Sequence, residues 1–133
     1  GILGMKVWPF DRHAHKGGGA YLSAADIEEG MKPLRDIRKR VGDKIEIMIE
    51  GHAFFQLASA LRLADALREI RPFWLEDVLR VDTLRTLADF RRQSRLPVAA
   101  SEMLLGRPSY LALLEAQAAM AKNLRTLDDA TFE

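Results

Sequence analysis

The stretch IEIMIEGH, residues 45–52, holds a pattern that other segments of this chain repeat. Its apolar residues suit a strand in a buried sheet, yet the segment ends on Glu50, Gly51 and His52. A carboxylate and an imidazole at the end of a buried strand need a physical reason. The segments on either side of this stretch supply one, because they repeat its pattern.

Short apolar runs alternate with longer amphipathic ones along the chain. Ser23 followed by Asp26 resembles a capping box and predicts a helix start, Gly42 predicts its end, and Pro33 is expected to kink that helix or to shift its start. The predicted strands are residues 5–10, 45–50, 73–76 and 97–101, and the predicted helices are 23–41, 56–70, 83–93 and 109–119. Four βα units in succession indicate an α/β protein with a parallel sheet.

The segment DRHAHKGGGAYL, residues 11–22, lies between the first strand and the first predicted helix. Its three consecutive glycines predict a flexible loop. His13 and His15 form a His-x-His pair that would suit a metal, but a pair in a glycine-rich loop is weak evidence. We therefore favour a mobile loop that touches substrate or solvent.

Three predicted strands end on the same residue type. The interval is 26 residues from Glu50 to Glu76 and again 26 residues from Glu76 to Glu102. This equal spacing predicts that the three acids lie on neighbouring strands at one rim of the sheet. No glycine-rich phosphate fingerprint follows any strand, so an open nucleotide-binding sheet is disfavoured. In (β/α)₈ TIM barrels the active site lies at the carboxyl ends of the strands. We therefore interpret the chain as a partial (β/α)₈ TIM barrel of about four to five βα units.

Carboxylates that converge on one rim repel one another and lose solvation, so such a cluster needs a cation. The chain has no cysteine, and oxygen ligands favour Mg²⁺, with Mn²⁺ as a possible substitute. The alternative is that each acid caps a helix or lies in solvent. Three acids in one register favour the metal site.

Composition narrows the remaining function classes. The 133 residues carry 20 Lys and Arg against 19 Asp and Glu, a net charge of +1, so no overall field favours nucleic acid or an anionic membrane. No apolar run approaches the roughly 20 residues of a spanning helix, and no signal peptide opens the chain. We therefore expect a cytoplasmic protein.

The strand-end segments resemble a known family. GMKVWPFD, FWLEDV and SEMLLGR are similar to strands of the enolase superfamily barrel domain, in the mandelate racemase and muconate lactonizing enzyme branch near its acid-sugar dehydratases. The resemblance covers about residues 1–119 and leaves residues 120–133 as a divergent C-terminal tail. In WLED, Asp77 and Val78 replace the second Glu and the Pro of the family's Glu-Glu-Pro segment.

The resemblance implies a set of roles. Glu50, Glu76 and Glu102 would bind Mg²⁺, and His52 would act as the general acid on a departing hydroxyl. Lys6 matches the first lysine of the family's Lys-x-Lys and would contact the substrate carboxylate or assist proton transfer. Trp8 replaces the second lysine, which argues against a racemase with a base there. The alternative for His52 is a purely structural role, and the alternative for Lys6 is that it is a surface lysine without a role in the site.

Two functions follow from the resemblance. The first is an Mg²⁺-dependent lyase or isomerase using enediolate chemistry on a small carboxylate, most simply the dehydration of an acid sugar. The second is an inactive barrel fragment that self-associates through exposed sheet edges, because a whole barrel takes about 250 residues. Asp128 and Asp129 do not match the acid of the family's Asp-His dyad. We therefore expect this chain alone to be inactive and to form a homo-oligomer.

Overall fold

Strands and helices alternate along the chain in a computed structural model, which describes residues 1–80, 83–100 and 102–118. The strands are β1 (Gly4–Val7), β2 (Glu46–Glu50), β3 (Trp74–Glu76) and β4 (Val98–Ala99); the helices are α1 (Asp11–Lys16), α2 (Ala24–Val41), α3 (Leu57–Leu67), α4 (Leu84–Ser94) and α5 (Gly106–Glu115). A short 3-10 helix, Arg68–Ile70, follows α3 directly. None of the helices in the described ranges combines the length and the apolar character of a membrane span.

The four strands form one parallel sheet in the order β1-β2-β3-β4. Each strand therefore lies beside the next one in sequence, with no point at which the order reverses. Right-handed crossovers between consecutive parallel strands place their helices on the same face of the sheet, which is the arrangement of a barrel wall and not of a doubly wound sheet. The prediction of an α/β partial barrel is confirmed.

The two faces of the sheet differ in chemistry because successive side chains of a strand point to opposite sides. Ile47, Ile49, Leu75 and Val98 are fully buried in the core shared with the helices. The opposite face carries a first level formed by the register partners Lys6, Met48 and Trp74, and a second level formed by Glu50, Glu76 and Ala99. The charged level is thus at the carboxyl ends of the strands.

The prediction of a flexible loop at residues 11–22 is wrong for its first half, where α1 (Asp11–Lys16) forms. Phe10 and Ala14 are buried in the core, and the carbonyl of Phe10 accepts hydrogen bonds from the backbone of His13 and Ala14. Burial of these apolar side chains orders a turn that local sequence alone does not favour. His13 is consequently buried and does not lie in a mobile loop.

The start of α2 shows the predicted capping box between Ser23 and Asp26. Asp26 also accepts from Lys16 Nζ at 2.9 Å and lies 3.1 Å from His13 Nδ1, which joins α1 to α2. Hydrogen bonds from Ser23 and Lys16 lower the pKa of Asp26 well below its usual range, although burial opposes them. Pro33 lies inside α2 without ending it. The tail at residues 120–133, with Asp128 and Asp129, lies outside the described residues, so the domain boundary stays a prediction.

Gly30 lies in the interior of α2, where glycine costs about 0.5–1 kcal/mol relative to alanine. The reason for glycine here is the ring of Phe10, which is fully buried against the helix. A Cβ atom at Gly30 would lie 2.3 Å from Phe10 Cε1. The position therefore gives up helix propensity so that Phe10, three residues after β1, can pack under α2.

We expect Gly30→Ala to lower the free energy of unfolding by about 1–3 kcal/mol, because the added methyl group overpacks the contact with Phe10. Urea denaturation followed by circular dichroism measures this change. Asp36→Ala, at an exposed position of the same helix, is the control and should alter stability by less than about 0.5 kcal/mol. A Gly30→Ala variant as stable as wild type would contradict the packing role.

Candidate active site at the carboxyl ends of the strands

Two of the predicted site carboxylates meet at the sheet rim. Glu50 and Glu76 are register partners at the last positions of β2 and β3, so their side chains project from the same face of neighbouring strands. Glu50 is buried, with 3% of its side chain exposed, and Glu76 is partly buried at 21%. Two negative charges at paired positions of neighbouring strands require a cation between them.

Lys6 supplies that cation. Its Nζ atom lies 2.7 Å from Glu50 Oε2 and 2.9 Å from Glu76 Oε1, so one ammonium group bridges both carboxylates. Lys6 reaches them because it is the register partner of Met48, two residues before Glu50 on the same face. Burial lowers the pKa of Lys6, but the hydrogen bonds that it donates to Glu50 and Glu76 outweigh this effect and raise the pKa above its usual range. The Lys6 side chain is therefore protonated throughout the neutral pH range.

The outer oxygens of the two carboxylates are bonded as well. Glu50 Oε1 accepts from the backbone N–H of His52 at 3.2 Å, and Glu76 Oε2 accepts from Trp74 Nε1 at 2.8 Å. The sequence analysis did not identify this contact between Trp74 and Glu76. The signal was available, because residues two apart on a strand share a face. Together with Lys6, these donors hold all four carboxylate oxygens.

Glu102 is not brought into this pair. The register partner of Glu76 on β4 is Ala99, so Glu102 lies three residues beyond the matching level and is exposed. Its backbone N–H lies 3.4 Å from Asp77 Oδ2. Among the described residues, no group of three or more Asp, Glu or His side chains is placed to hold a metal ion. The role of Glu102 as a third ligand stays a prediction.

Asp77 organises the loops that follow the strands, which the sequence did not reveal. It is buried, and its φ of 40° lies in the left-handed region. Its N–H donates to the carbonyl of Ala99 at 3.0 Å, and its own carbonyl accepts from Ala53 at 2.5 Å. Asp77 thus connects the segments after β2, β3 and β4.

Gly51 explains part of the Glu-Gly-His ending. A Cβ atom there would lie 2.7 Å from the Cα of Val78, so no larger residue fits beside the segment after β3. The N–H of Gly51 donates to the carbonyl of Glu76 at 2.9 Å, which extends the pairing of β2 and β3 past the strand ends. Glycine therefore lets the two loops approach closely and keeps the carboxylates level.

His52 lies at the same rim, beside the carboxylate pair. Its Nδ1 atom is 2.9 Å from Asp11 Oδ2, off the line of a hydrogen bond, and its ring contacts those of Trp8 and Phe54 at centroid distances of 6.1 and 5.8 Å. The φ of His52 is 47°, so the backbone there is strained. The sequence left the role of Asp11 open, because only the fold of α1 places it against His52.

The donor set suits a hard divalent cation in part. Glu50 and Glu76 present two converging carboxylates whose facing oxygens already share one cation, and oxygen ligands are those that Mg²⁺ and Mn²⁺ prefer. His15, the other member of the His-x-His pair, packs on Phe54 with ring centroids 4.4 Å apart, while His13 pairs with Asp26. The two histidines therefore do not point to a shared metal.

Comparison with known proteins identifies relatives of this arrangement. The family model described as enolase C-terminal domain-like matches residues 1–126. A crystal structure of an enolase of the mandelate racemase subgroup from Agrobacterium tumefaciens is 43% identical, with a TM-score of 0.87 over 90% of this chain and 33% of that one. A mandelate racemase/muconate lactonizing enzyme-like protein from Roseovarius sp. TM1035 is 30% identical, with a TM-score of 0.81 over 90% of this chain and 30% of that one.

Among curated proteins, a D-gluconate/D-galactonate dehydratase from Picrophilus torridus is 29% identical over 111 residues, which are 83% of this chain and 27% of the relative. A D-gluconate dehydratase from Thermoproteus tenax is 23% identical over 93 residues, 70% of this chain and 19% of that enzyme. The chain therefore spans about a quarter of the length of these relatives.

We expect Lys6→Met to lower the free energy of unfolding by about 1–3 kcal/mol, because it leaves the buried Glu50 carboxylate without its cation. The value lies below that of a fully buried pair since 38% of the Lys6 side chain is exposed. Urea denaturation at neutral pH provides the measurement. Lys39→Met, at an exposed position of α2, is the control, and equal losses in the two variants would refute the role of Lys6.

Proposed function

The chain belongs to the enolase C-terminal domain-like family, and from this premise we propose that it forms the metal-binding part of a dehydratase acting on acid sugars. The single observation that carries the proposal is the Glu50–Glu76 pair at the carboxyl ends of β2 and β3, with His52 beside it. The curated relatives that carry dehydratase names support the choice of reaction.

Glu50 and Glu76 would hold a divalent cation, Mg²⁺ or Mn²⁺, with Glu102 as the third ligand. When bound, the cation would supply positive charge that stabilises negative charge developing on the substrate carboxylate as the adjacent C–H is broken. The oxygen donors of this pair and the burial of Glu50 support that role. The substrate would be a small hydroxy acid whose carboxylate reaches the strand rim.

His52 would deliver a proton to the departing hydroxyl group, and Asp11 would orient its ring. The hydrogen bond from the backbone N–H of His52 to Glu50 keeps the imidazole next to the carboxylate pair. Asp11 Oδ2 lies 2.9 Å from Nδ1 of His52. The rings of Trp8 and Phe54 contact the same imidazole. Lys6 would contribute a positive charge close to the substrate. Action in the cytoplasm stays a prediction.

Metal binding provides the first test. We expect Mn²⁺, followed by paramagnetic resonance, to bind wild type and to bind Glu76→Gln at least about tenfold more weakly, because one of two converging carboxylates is lost. Glu115→Gln, exposed at the end of α5, is the matched control and should bind as wild type does. Glu102→Gln reports on the third ligand. Equal, negligible binding in wild type and Glu76→Gln would refute the site.

The reaction is tested with the longest reading frame that encodes this chain. Incubation with aldonic and aldaric acids should yield 2-keto-3-deoxy acids, and His52→Gln should reduce the rate by about 10²–10⁴-fold because it removes the proton donor. His15→Gln, an exposed histidine at the same rim, is the control and should retain activity. Racemisation of these acids without loss of water would overturn the assignment.

A second function is favoured by the apolar surface beside the outer strands of the described sheet. β1 and β4 are its edge strands, and Ile2 and Leu3, which directly precede β1, are 78% and 80% exposed. Such edges and patches pair readily with another chain. On this second proposal the chain is catalytically silent and assembles with a second copy of itself.

Light scattering combined with the acid-sugar assay separates the two proposals. For the 133-residue chain by itself we expect a dimer or larger species without turnover, because the exposed edges associate. Leu3→Lys should shift this equilibrium towards monomer, whereas Leu111→Lys, exposed on α5, is the control. A monomeric chain that dehydrates acid sugars would contradict self-association and inactivity together.

A further inference from the structure

We propose that Lys6 is the resident cation of the Glu50–Glu76 pair and that a divalent ion binds there only by displacing the Lys6 ammonium group. This inference rests on the proposed metal role of the two carboxylates. It adds that metal affinity is set by a residue which is not itself a metal ligand.

The first support is the bonding of the four carboxylate oxygens. The outer two are held by groups fixed in the fold, namely the backbone N–H of His52 and the indole of Trp74. The inner two, Glu50 Oε2 and Glu76 Oε1, face each other and both bind Lys6 Nζ. An ion that bridges the two carboxylates through these facing oxygens takes the position that the ammonium group holds.

The second support is electrostatic. An ammonium group and a divalent cation in contact with the same two carboxylates would lie only a few ångströms apart, and repulsion between them is strong where solvent is partly excluded. Two carboxylates carry two negative charges, which Lys6 neutralises by half. A divalent ion neutralises them completely once Lys6 has left, so exchange of the cations is favoured over simultaneous binding.

The third support concerns which partner can move. Glu50 is 3% exposed and lies at the end of β2, so its short side chain is held in place by the surrounding strands. Lys6 is 38% exposed, and a lysine side chain has four flexible methylene groups that carry the charge outward without moving the backbone. The exchange therefore proceeds by the outward swing of Lys6, while the carboxylates stay in register.

The test on wild type uses a water-soluble carbodiimide, which joins an amine to a carboxylate in direct contact. Peptide mass spectrometry should detect cross-links from Lys6 to Glu50 or Glu76, and saturating Mg²⁺ should reduce them at least about fivefold as the ammonium group leaves. The Lys16–Asp26 pair, at 2.9 Å, is the internal control and should cross-link equally with and without Mg²⁺. Lys6 cross-links that are unaffected by Mg²⁺ would overturn the proposal.

The second measurement is Mn²⁺ binding by paramagnetic resonance to folded Lys6→Met. Removal of the competing cation should tighten binding at least about tenfold relative to wild type, whereas Lys16→Met should bind as wild type does. Equal or weaker binding to Lys6→Met overturns the proposal. Where Lys6→Met does not fold, the cross-linking result on wild type decides. Neither measurement requires turnover. A failure of the proposed Lys6 displacement can therefore be distinguished from a failure of the proposed dehydration reaction.

Discussion

The contact between Lys6 and the paired carboxylates of Glu50 and Glu76 is the constraint on which the rest of the site depends. Parallel pairing of β2 and β3 places two like charges opposite each other, and one of them is almost fully buried. Such an arrangement is unstable without a positive charge. Lys6 provides it from β1, so three consecutive strands are joined at their rim by one ammonium group.

The loops after these strands carry strain that serves the same arrangement. His52, Ala53 and Asp77 have φ values of 47°, 58° and 40°, a region that non-glycine residues adopt at a cost of about 1–3 kcal/mol each. Their hydrogen bonds explain why the surrounding structure retains them. The N–H of His52 donates to Glu50, and Ala53 donates to the carbonyl of Asp77. Strained residues of this kind cluster at functional sites in proteins, which supports this rim as the candidate site.

The likeness to enolases of the mandelate racemase subgroup concerns a wall of the barrel and not a whole enzyme. Consecutive parallel strands with their apolar side turned to the helices reproduce that wall, with a TM-score of 0.87 against the Agrobacterium tumefaciens protein. The side opposite the helices carries Lys6, Met48 and Trp74 beneath the carboxylate level. In a closed barrel this side faces the interior, which is why charged groups there are expected to be functional.

Local sequence determined the elements whose signals lie within a few residues. The capping box of Ser23 and Asp26 and the apolar strand before Glu50 were foreseeable, because capping and strand alternation act over short distances. The family could be recognised from the strand ends for the same reason. The partnership of Glu50 with Glu76 was foreseeable from the succession of βα units, which places consecutive strands side by side. Even so, α1 was missed, since its order comes from burying Phe10 and Ala14 under other elements.

Only the tertiary structure decided how the site is assembled. The equal 26-residue spacing suggested that Glu102 would join the other two acids, but strand pairing places Ala99 at that level, because spacing along a chain includes loops of variable length. The bridging position of Lys6, the bond from Trp74 to Glu76 and the approach of Asp11 to His52 likewise depend on which strands are neighbours. The sequence thus determined which groups are present at the rim, and long-range packing decided which of them touch.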